Sequence, residues 1–349
     1  MHSVSIISII SVFLFLLLTV FLVFHKSENR IGNNLFALFL IVTSIDLSGQ
    51  FLGDYYKTNA IINSLRLALV LLQIPLFYLY VRKVCFDDFK LEYRSLWHGL
   101  PTLLFIILFS WFGVIQSLEI GYILVVQAQY YAYMGVIFLV LRKYKRIHLR
   151  YHSLQSDTYR WLFTITIIFL MGNTIVLIRG IFEALNDFQK FPGLNLGIAI
   201  FGLVAASWFV LNTMRNPELF TRVNESLALQ KKSTTEEKEG FEGEVDQLLN
   251  YMQNHKPYLD ETLTLQNLAV QTEIPAKRLS EIINKQIGKH FFDFINDYRI
   301  EASKKLLKES DLTVQQIMYE VGFNSKSSFN TAFKKSTSLT PSSYRKQAE

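Results

Sequence analysis

The sequence predicts an all-α protein in two parts, a seven-helix transmembrane bundle followed by a soluble all-α domain. Three observations carry this expectation. Long apolar runs dominate the first 213 of 349 residues, and each approaches the ~20 residues that a helix needs to cross a ~30 Å hydrocarbon layer. Beyond them the composition becomes that of an ordinary polar globular protein, with apolar residues at helical spacing. Near the end, a short helical pattern beginning Leu-Thr occurs twice, about 50 residues apart, on either side of a longer helix.

Seven stretches meet the length requirement: residues 4–24, 34–52, 60–81, 96–114, 120–141, 161–182 and 194–214. The first, VSIISIISVFLFLLLTVFLVF, carries no charge. It is too long for the apolar centre of a cleaved signal peptide and lacks the basic segment and small-residue cleavage site, so a retained span is expected. The fourth is the weakest, because His98 and Pro101 interrupt its start. Proline near a helix start is tolerated there, since its missing N–H would be unpaired anyway.

The net charge of +6 is unevenly spread. Odd-numbered loops carry Lys26 and Arg30, then Arg82, Lys83, Lys90 and Arg94, then Arg142, Lys143, Lys145, Arg146, Arg150 and Arg160. Even-numbered loops hold Lys57 and Lys190, so the bias is twelve against two. Lys and Arg near span ends are retained in the cytoplasm. The N-terminus is therefore expected outside, and seven crossings bring the C-terminus inside. The single cysteine, Cys85, excludes an intrachain disulfide and is expected to be an inert cytoplasmic thiol.

Residues 1–214 are thus expected to form the membrane domain and residues 215–246 a cytoplasmic linker. The linker includes KKSTTEEKEGFEGEVD, charged and almost free of apolar residues. From residue 247 the second domain follows. Val245, Leu248, Leu249 and Met252 share one helical face that either enters this domain or makes a dimer contact. A short helix is expected in LTLQNLAVQT, with Leu265, Leu268 and Ala269 inward; Glu273 and Ile274 turn the chain. Pro275 suits the first position of the next helix, PAKRLSEIINKQIG, and Gly288 ends it. The longer helix FFDFINDYRIEASKKLLKES follows. The pattern then repeats as LTVQQIMYEV, stopped by Gly322, and SKSSFNTAFKKS, capped by Asn324 or Ser325. Thr264 and Thr313 occupy matching places. The text describes two helix-turn-helix units, about 263–288 and 312–337, joined by one long helix.

These residues resemble the AraC-type DNA-binding domain from about Leu263 to Arg345, roughly a quarter of the chain. The carrying features are LTLQNLA, RLSEIIN, FFDFINDYRIEASKKLL, IMYEVGFNSKSSFNTAFKK and TPSSYR. Met318 stands where a small alanine is common in that family and Ser338 where glycine is common; a repacking and a turn adjustment are expected. The resemblance implies two recognition helices entering adjacent major grooves of double-stranded promoter DNA. With Leu279, Ile282 and Ile283 inward, Lys277, Arg278, Ser280, Glu281 and Lys285 can face outward. With Phe329 and Phe333 inward, Lys326, Ser327, Asn330, Thr331 and Lys334 can do the same. Of these, Lys277, Ser280, Glu281, Lys326, Ser327, Asn330 and Thr331 are the expected base readers. From Pro275 onward 13 Lys/Arg stand against 8 Asp/Glu, an excess suited to phosphate contact. The alternative is that these are solvated helix faces.

Ionisable side chains within spans point to function by default. Asp46, Arg66, Arg179 and Glu183 qualify, with Gln73, Gln127, Gln129 and Asn173 as polar company. In the expected orientation Asp46, Arg66, Gln127, Gln129, Arg179 and Glu183 share the outer half of the bilayer. One reading is a ligand pocket whose two arginines suit an anion. The other is structural: Arg179 and Glu183 pair at i,i+4, and Arg66 bridges to Asp46.

His148 and His152 are spaced HxxxH but have no acidic third ligand beside them, so no metal is expected. There is no phosphate-cradling glycine loop, no G-x-S-x-G turn and no H-E-x-x-H pair, and neither a cofactor nor an enzyme activity is expected. The sequence thus predicts a transcriptional regulator in a bacterial inner membrane. Its expected partners are promoter DNA, the lipid bilayer, a small-molecule or envelope signal, a second copy of itself if it acts as a homodimer, and RNA polymerase if it activates. A transporter or channel with a regulatory DNA-binding tail is the alternative; it requires polar residues through both membrane halves.

Overall fold

The computed structural model describes residues 2–25, 29–86, 89–112, 116–152, 157–186, 189, 191–215 and 241–348. Every regular element among them is helical, and one isolated bridge pairs His152 with Thr264. The described residues divide into two compact units, 2–142 with 157–215, and 143–152 with 241–348. The expected linker, 215–246, lies outside the described residues except for Arg215 and residues 241–246.

The first unit contains α1 (His2–Phe24), α2 (Arg30–Leu47), α3 (Gly53–Thr58), α4 (Ala60–Cys85), α5 (Leu100–Phe112), most of α6 (Gln116–Tyr151), α7 (Asp157–Leu185) and α8 (Pro192–Arg215). Among the described residues seven helical segments are long and apolar enough to cross a membrane. Asn29 opens α2 by accepting from Gly32 N at 3.2 Å, and α2 tightens into a 3-10 turn over Ser48–Gln50. The weak fourth stretch begins as a 3-10 helix, Tyr93–Gly99, and becomes α-helical at Leu100 with Pro101 in its first turn. That placement frees the proline from needing an N–H partner. The fifth stretch extends well past the expected end at residue 141: α6 has 36 residues, about 54 Å of helix. Helix α3 has no counterpart among the expected segments.

In this unit large apolar side chains lie on the outside as well as in the core. Phe13, Ile61, Trp111, Leu139 and Val204 are exposed large apolar side chains, as expected for a surface solvated by hydrocarbon. Inside, aromatic rings interlock: Phe36 stacks on Tyr80 at 4.6 Å between centroids, and Phe39 meets Phe169 edge-on at 4.8 Å. Trp161 donates Nε1–H to the Tyr80 hydroxyl at 3.2 Å, satisfying a polar group that apolar surroundings would otherwise leave unpaired.

The second unit contains the end of α6, then α9 (Phe241–His255), α10 (Leu265–Thr272), α11 (Ala276–Glu281), α12 (Phe291–Glu309), α13 (Val314–Glu320), α14 (Lys326–Thr337) and α15 (Pro341–Ala348). Leu248 and Met252 of α9 are fully buried with Leu268, Leu279, Ile282 and Phe291, so this face enters the domain core. Tyr151 packs on the same cluster. A second core collects Ile317, Met318, Phe323, Phe329 and Phe333. Helix α12 serves both, giving Phe291, Phe294 and Ile295 to the first and Ile300 and Leu307 to the second. Met318 is taken into the second core.

Arg299 of α12 is a fully enclosed cation. Its Nε–H donates to Tyr258 O at 2.7 Å and its Nη2–H to Asp260 O at 2.8 Å, with the guanidinium 5.5 Å from the Phe323 ring centroid. Burial pushes its pKa down to about 10, against the opposing pull of Asp260 and Glu261, so it remains protonated at neutral pH. Gly322 approaches the same turn: at φ +87°, a Cβ there would lie 2.7 Å from Tyr258 O and 2.8 Å from Leu259 O.

Two stability outcomes follow for the chain from residue 241 onward. Arg299→Met removes the donor to the Tyr258 carbonyl and one of the two donors to Asp260 O, and is expected to lower the unfolding free energy in urea by about 2–4 kcal/mol. Arg299→Lys should recover little, because an ammonium cannot reproduce the planar fork. Ser338 ends α14 in the left-handed region at φ +61°. Ser338→Gly should therefore raise the urea midpoint, by about 1 kcal/mol in stability.

Candidate nucleic-acid interface and a polar cavity

The first helical pair starts at Thr264, whose hydroxyl accepts from Asn267 N at 3.1 Å, and turns at Glu273, held at φ +57°. Pro275 sits one place earlier than expected, as the extended residue before α11. The second helix of the pair is α-helical only to Glu281 and widens into a π turn over Ile282–Gln286. Ile287 N reaches back to Ile282 O at 3.0 Å, and Gly288 closes the element at φ +75°. The wide turn keeps Ile282 and Ile283 in the core while Lys285 stays exposed.

The outward set of this helix is partly engaged within the domain. Arg278 donates from Nε to Glu244 Oε2 of α9 at 2.6 Å, with only 17% and 31% of the two side chains accessible. It is thus committed to an internal ion pair. Ser280 lies beside Asn284, which donates to its carbonyl at 2.7 Å, and His290 contacts Asn284 Oδ1 at 3.1 Å. Glu281 faces Lys285 at 3.5 Å. Lys277 is exposed.

The second pair repeats the plan with better closure. Thr313 and Gln316 form a reciprocal capping box at the start of α13. Ser325 caps α14 by accepting from Ser328 N at 3.2 Å. Phe329 and Phe333 are buried, leaving Lys326, Ser327, Thr331 and Lys334 exposed and Asn330 half-buried on one polar face. Helix α15, which grows out of the TPSSYR motif, fixes this pair from behind. Tyr344 meets Phe333 edge-on at 5.4 Å, and Arg345 donates to Leu312 O at 2.6 Å.

Residues 268–347 match the family described as "Helix-turn-helix domain". A curated relative, the uncharacterized HTH-type transcriptional regulator YdeC of Bacillus subtilis, is 32% identical over 100 residues, 29% of this chain and 33% of its own. YijO of Escherichia coli, of the same description, is 33% identical over 26% of this chain and 34% of its own. The regulatory protein PocR of Salmonella typhimurium is 24% identical over 47% of this chain and 54% of its own. Residues 268–347 form a helix-turn-helix domain of the AraC type. The C-terminal domain of AraT, a response regulator from Geobacillus stearothermophilus, is 28% identical to this chain, with 31% of this chain and 88% of that one covered at a TM-score of 0.28. The chain spans about a third to a half of the length of these three curated relatives.

Outside the AraC-type domain, polar side chains gather at two places in the first unit. A cavity of about 170 Å³ lies among α2, α4, α6 and α7, with Asp46, Gln73, Gln127, Gln129, Tyr130 and Asn173 on its polar wall. Arg66 stands behind it: Nη1 is 3.6 Å from Asp46 Oδ1 and donates to Asp46 O at 3.3 Å, and Nη2 donates to Asn63 Oδ1 at 3.2 Å. Gly49 leaves room for that guanidinium, since a Cβ would meet Nη1 at 2.6 Å. Arg179 and Glu183 are elsewhere. They approach to 4.0 Å, and Arg179 Nη1 donates to Asn195 Oδ1 at 2.8 Å beside a separate hollow of about 50 Å³. The structure therefore joins Asp46, Gln127 and Gln129 and puts neither arginine on the cavity wall. His148 and His152 stack in parallel at 4.1 Å, and no group of three metal-ligating side chains occurs among the described residues.

The internal commitment of Arg278 can be measured. A double-mutant cycle of Glu244→Ala and Arg278→Ala, read by urea unfolding, is expected to give a coupling of about 1 kcal/mol for this partly buried pair. A coupling of zero would show that Glu244 does not hold Arg278 in place.

Proposed function

We propose that this chain is a membrane-bound transcriptional regulator in which a helix-turn-helix domain of the AraC type reads promoter DNA under the control of a membrane sensor. The observation that carries this reading is the union in one chain of that domain with seven helices long and apolar enough to cross a membrane. The twelve-to-two bias of Lys and Arg between alternate loops supports a cytoplasmic C-terminus, the side where chromosomal DNA lies. Relatives that are themselves described as transcriptional regulators support the output.

In this reading α14 enters a major groove with Lys326, Ser327, Asn330 and Thr331 at base edges and Lys334 at phosphate. Lys277, Ser280, Glu281 and Lys285 are the corresponding set in the first pair. Short hydroxyl and amide side chains reach base edges at close approach, and lysines hold the backbone through charge. With Arg278 engaged by Glu244 and Glu281 facing Lys285, the larger share of base reading is assigned to the second pair.

The test retains genomic fragments on the chain from residue 241 onward and sequences them; a shared motif is expected, and its absence overturns the DNA-reading role. On the recovered site, Lys334→Ala should weaken binding to all sequences alike and lower the slope of log K against log salt by about 1. Asn330→Ala should instead relax preference at one base position by about 1–3 kcal/mol. In cells, deleting residues 1–220 should leave promoter occupancy intact and remove its response to growth conditions. A response that survives this deletion would separate the membrane part from the control.

A further inference from the structure

The hydrogen-bond bookkeeping of the cavity among α2, α4, α6 and α7 gives its wall a definite chemical sign. Gln73 donates from Nε2 to Thr43 Oγ1 at 2.8 Å, while Thr43 Oγ1 itself donates to Phe39 O at 2.8 Å. Thr43 has spent its proton, so Gln73 must present its N–H there and its Oε1 is left over. Gln129 donates from Nε2 to Leu71 O at 3.2 Å. A carbonyl can only accept, so the Gln129 amide is fixed in the same sense. Tyr130 gives its hydroxyl proton to Phe169 O at 2.7 Å, which leaves the phenol oxygen as an acceptor. Asn173 and Gln127 bond to each other at 2.9 Å. Whichever amide donates, that pair leaves one amide oxygen and three N–H bonds over, and Gln73 and Gln129 each keep a second N–H.

Among the described residues, Asp46 adds the only charged group on this wall. Its carboxylate meets Arg66 at 3.6 Å and takes no shorter hydrogen bond among the described residues. The guanidinium is directed instead to Asp46 O and Asn63, and it lies 4.9 Å from the Tyr56 ring centroid. The wall thus offers a carboxylate, the Gln73 and Gln129 oxygens, the Tyr130 oxygen and one further amide oxygen beside the remaining amide N–H bonds, and among the described residues it carries no cationic side chain. An anion would face the Asp46 carboxylate with no cation on the wall to hold it. A donor-rich cation would meet partners. Val70, Val126 and Val176 line the rest, so the occupant has an apolar body.

We infer that this cavity binds a small organic ammonium ion, its charged head at Asp46 and the Gln73 and Gln129 oxygens and its apolar body against the valines. About 150 Å³ suffices for a benzene-sized molecule, so the volume of about 170 Å³ sets a limit near that size. The inference rests on the sensor reading for its biological meaning, but its chemistry stands on the wall alone.

The full chain in lipid nanodiscs at neutral pH provides the test, with three probes of one shape: benzylamine, benzyl alcohol and benzoate. Binding is read from the shift of the thermal midpoint with probe concentration, followed by tryptophan fluorescence. Benzylamine is expected to bind about tenfold or more tightly than benzyl alcohol, given the strength of hydrogen bonds to charged groups, and benzoate not at all. Asp46→Asn should erase the difference between amine and alcohol. Should that variant fail to fold, Gln73→Leu leaves the Asp46–Arg66 pair intact and should weaken benzylamine more than benzyl alcohol. Benzoate binding as well as the amine, an amine preference untouched by both variants, or no shift with any probe would overturn the inference. Promoter binding by the same nanodiscs without probe is scored separately. Its loss would count against the regulator reading and leave the ammonium site standing.

Discussion

Arg299 holds the DNA-binding domain as one body. A chain of two helical pairs joined by a single helix has an obvious weakness, because each pair could bury its own apolar face and swing about the connector. The enclosed guanidinium removes that freedom. It originates in the connector, bonds the turn at Tyr258 and Asp260 that precedes the first pair, and lies against Phe323 of the second. A cation in such a place costs desolvation, which its depressed pKa registers. The cost is offset only while both carbonyls remain aligned with the planar fork, so the interaction specifies geometry more than it adds stability. Gly322 completes the constraint by letting the second pair's turn approach the Tyr258 carbonyl and its neighbour Leu259 O.

The first unit meets the inverse problem. Its outside is apolar, so polar side chains can be kept only where they satisfy each other. Most do so locally: Ser11, Thr19, Thr43, Ser44, Ser64 and Thr166 each donate to the carbonyl one turn earlier. Arg66 shows how far the packing goes to keep a charge satisfied, with a glycine opposite it, a tyrosine face beside it and two polar partners. The amides around the cavity depart from this rule. Each is half satisfied, with its remaining capacity on one wall, which is costly in an apolar unit unless water or another molecule takes it up.

The signals that were legible in the sequence were periodic or punctuating. Seven apolar runs, the paired Thr264 and Thr313 caps, Gly288 and Gly322 as stops, and Ser325 as a cap all depend on local chemistry that a linear reading captures. Segments whose form depends on distant contacts were not legible. Helix α15 is held by Tyr344 on Phe333 and Arg345 on Leu312, the second a contact across tens of residues. The π turn in IINKQ leaves no composition mark, since the same letters suit an α-helix. At the candidate interface, the outward face of α14 followed from its two phenylalanine anchors. Arg278 looked equally outward on a helical wheel, yet it is taken by Glu244 of α9, a partner that spacing along one helix cannot reveal. The polar set of the apolar helices divided for the same reason: position can be counted along each helix, but which helices are neighbours cannot.

Energy considerations link the two proposals. A sensor that biases a DNA-binding domain needs a coupling of about 1–3 kcal/mol between its states. Even at about 0.5 kcal/mol per non-hydrogen atom, within the range seen for small ligands, an eight-atom ammonium ion would gain about 4 kcal/mol in a well-matched site. Only the part that differs between the two states acts on the equilibrium. A carboxylate and amides converging from four helices are suited to supply such a difference, because a relative shift of any helix breaks some of the bonds and keeps others. In the regulator reading, control then comes from how α2, α4, α6 and α7 pack around Asp46, and the DNA-binding domain can remain the rigid body that Arg299 makes it.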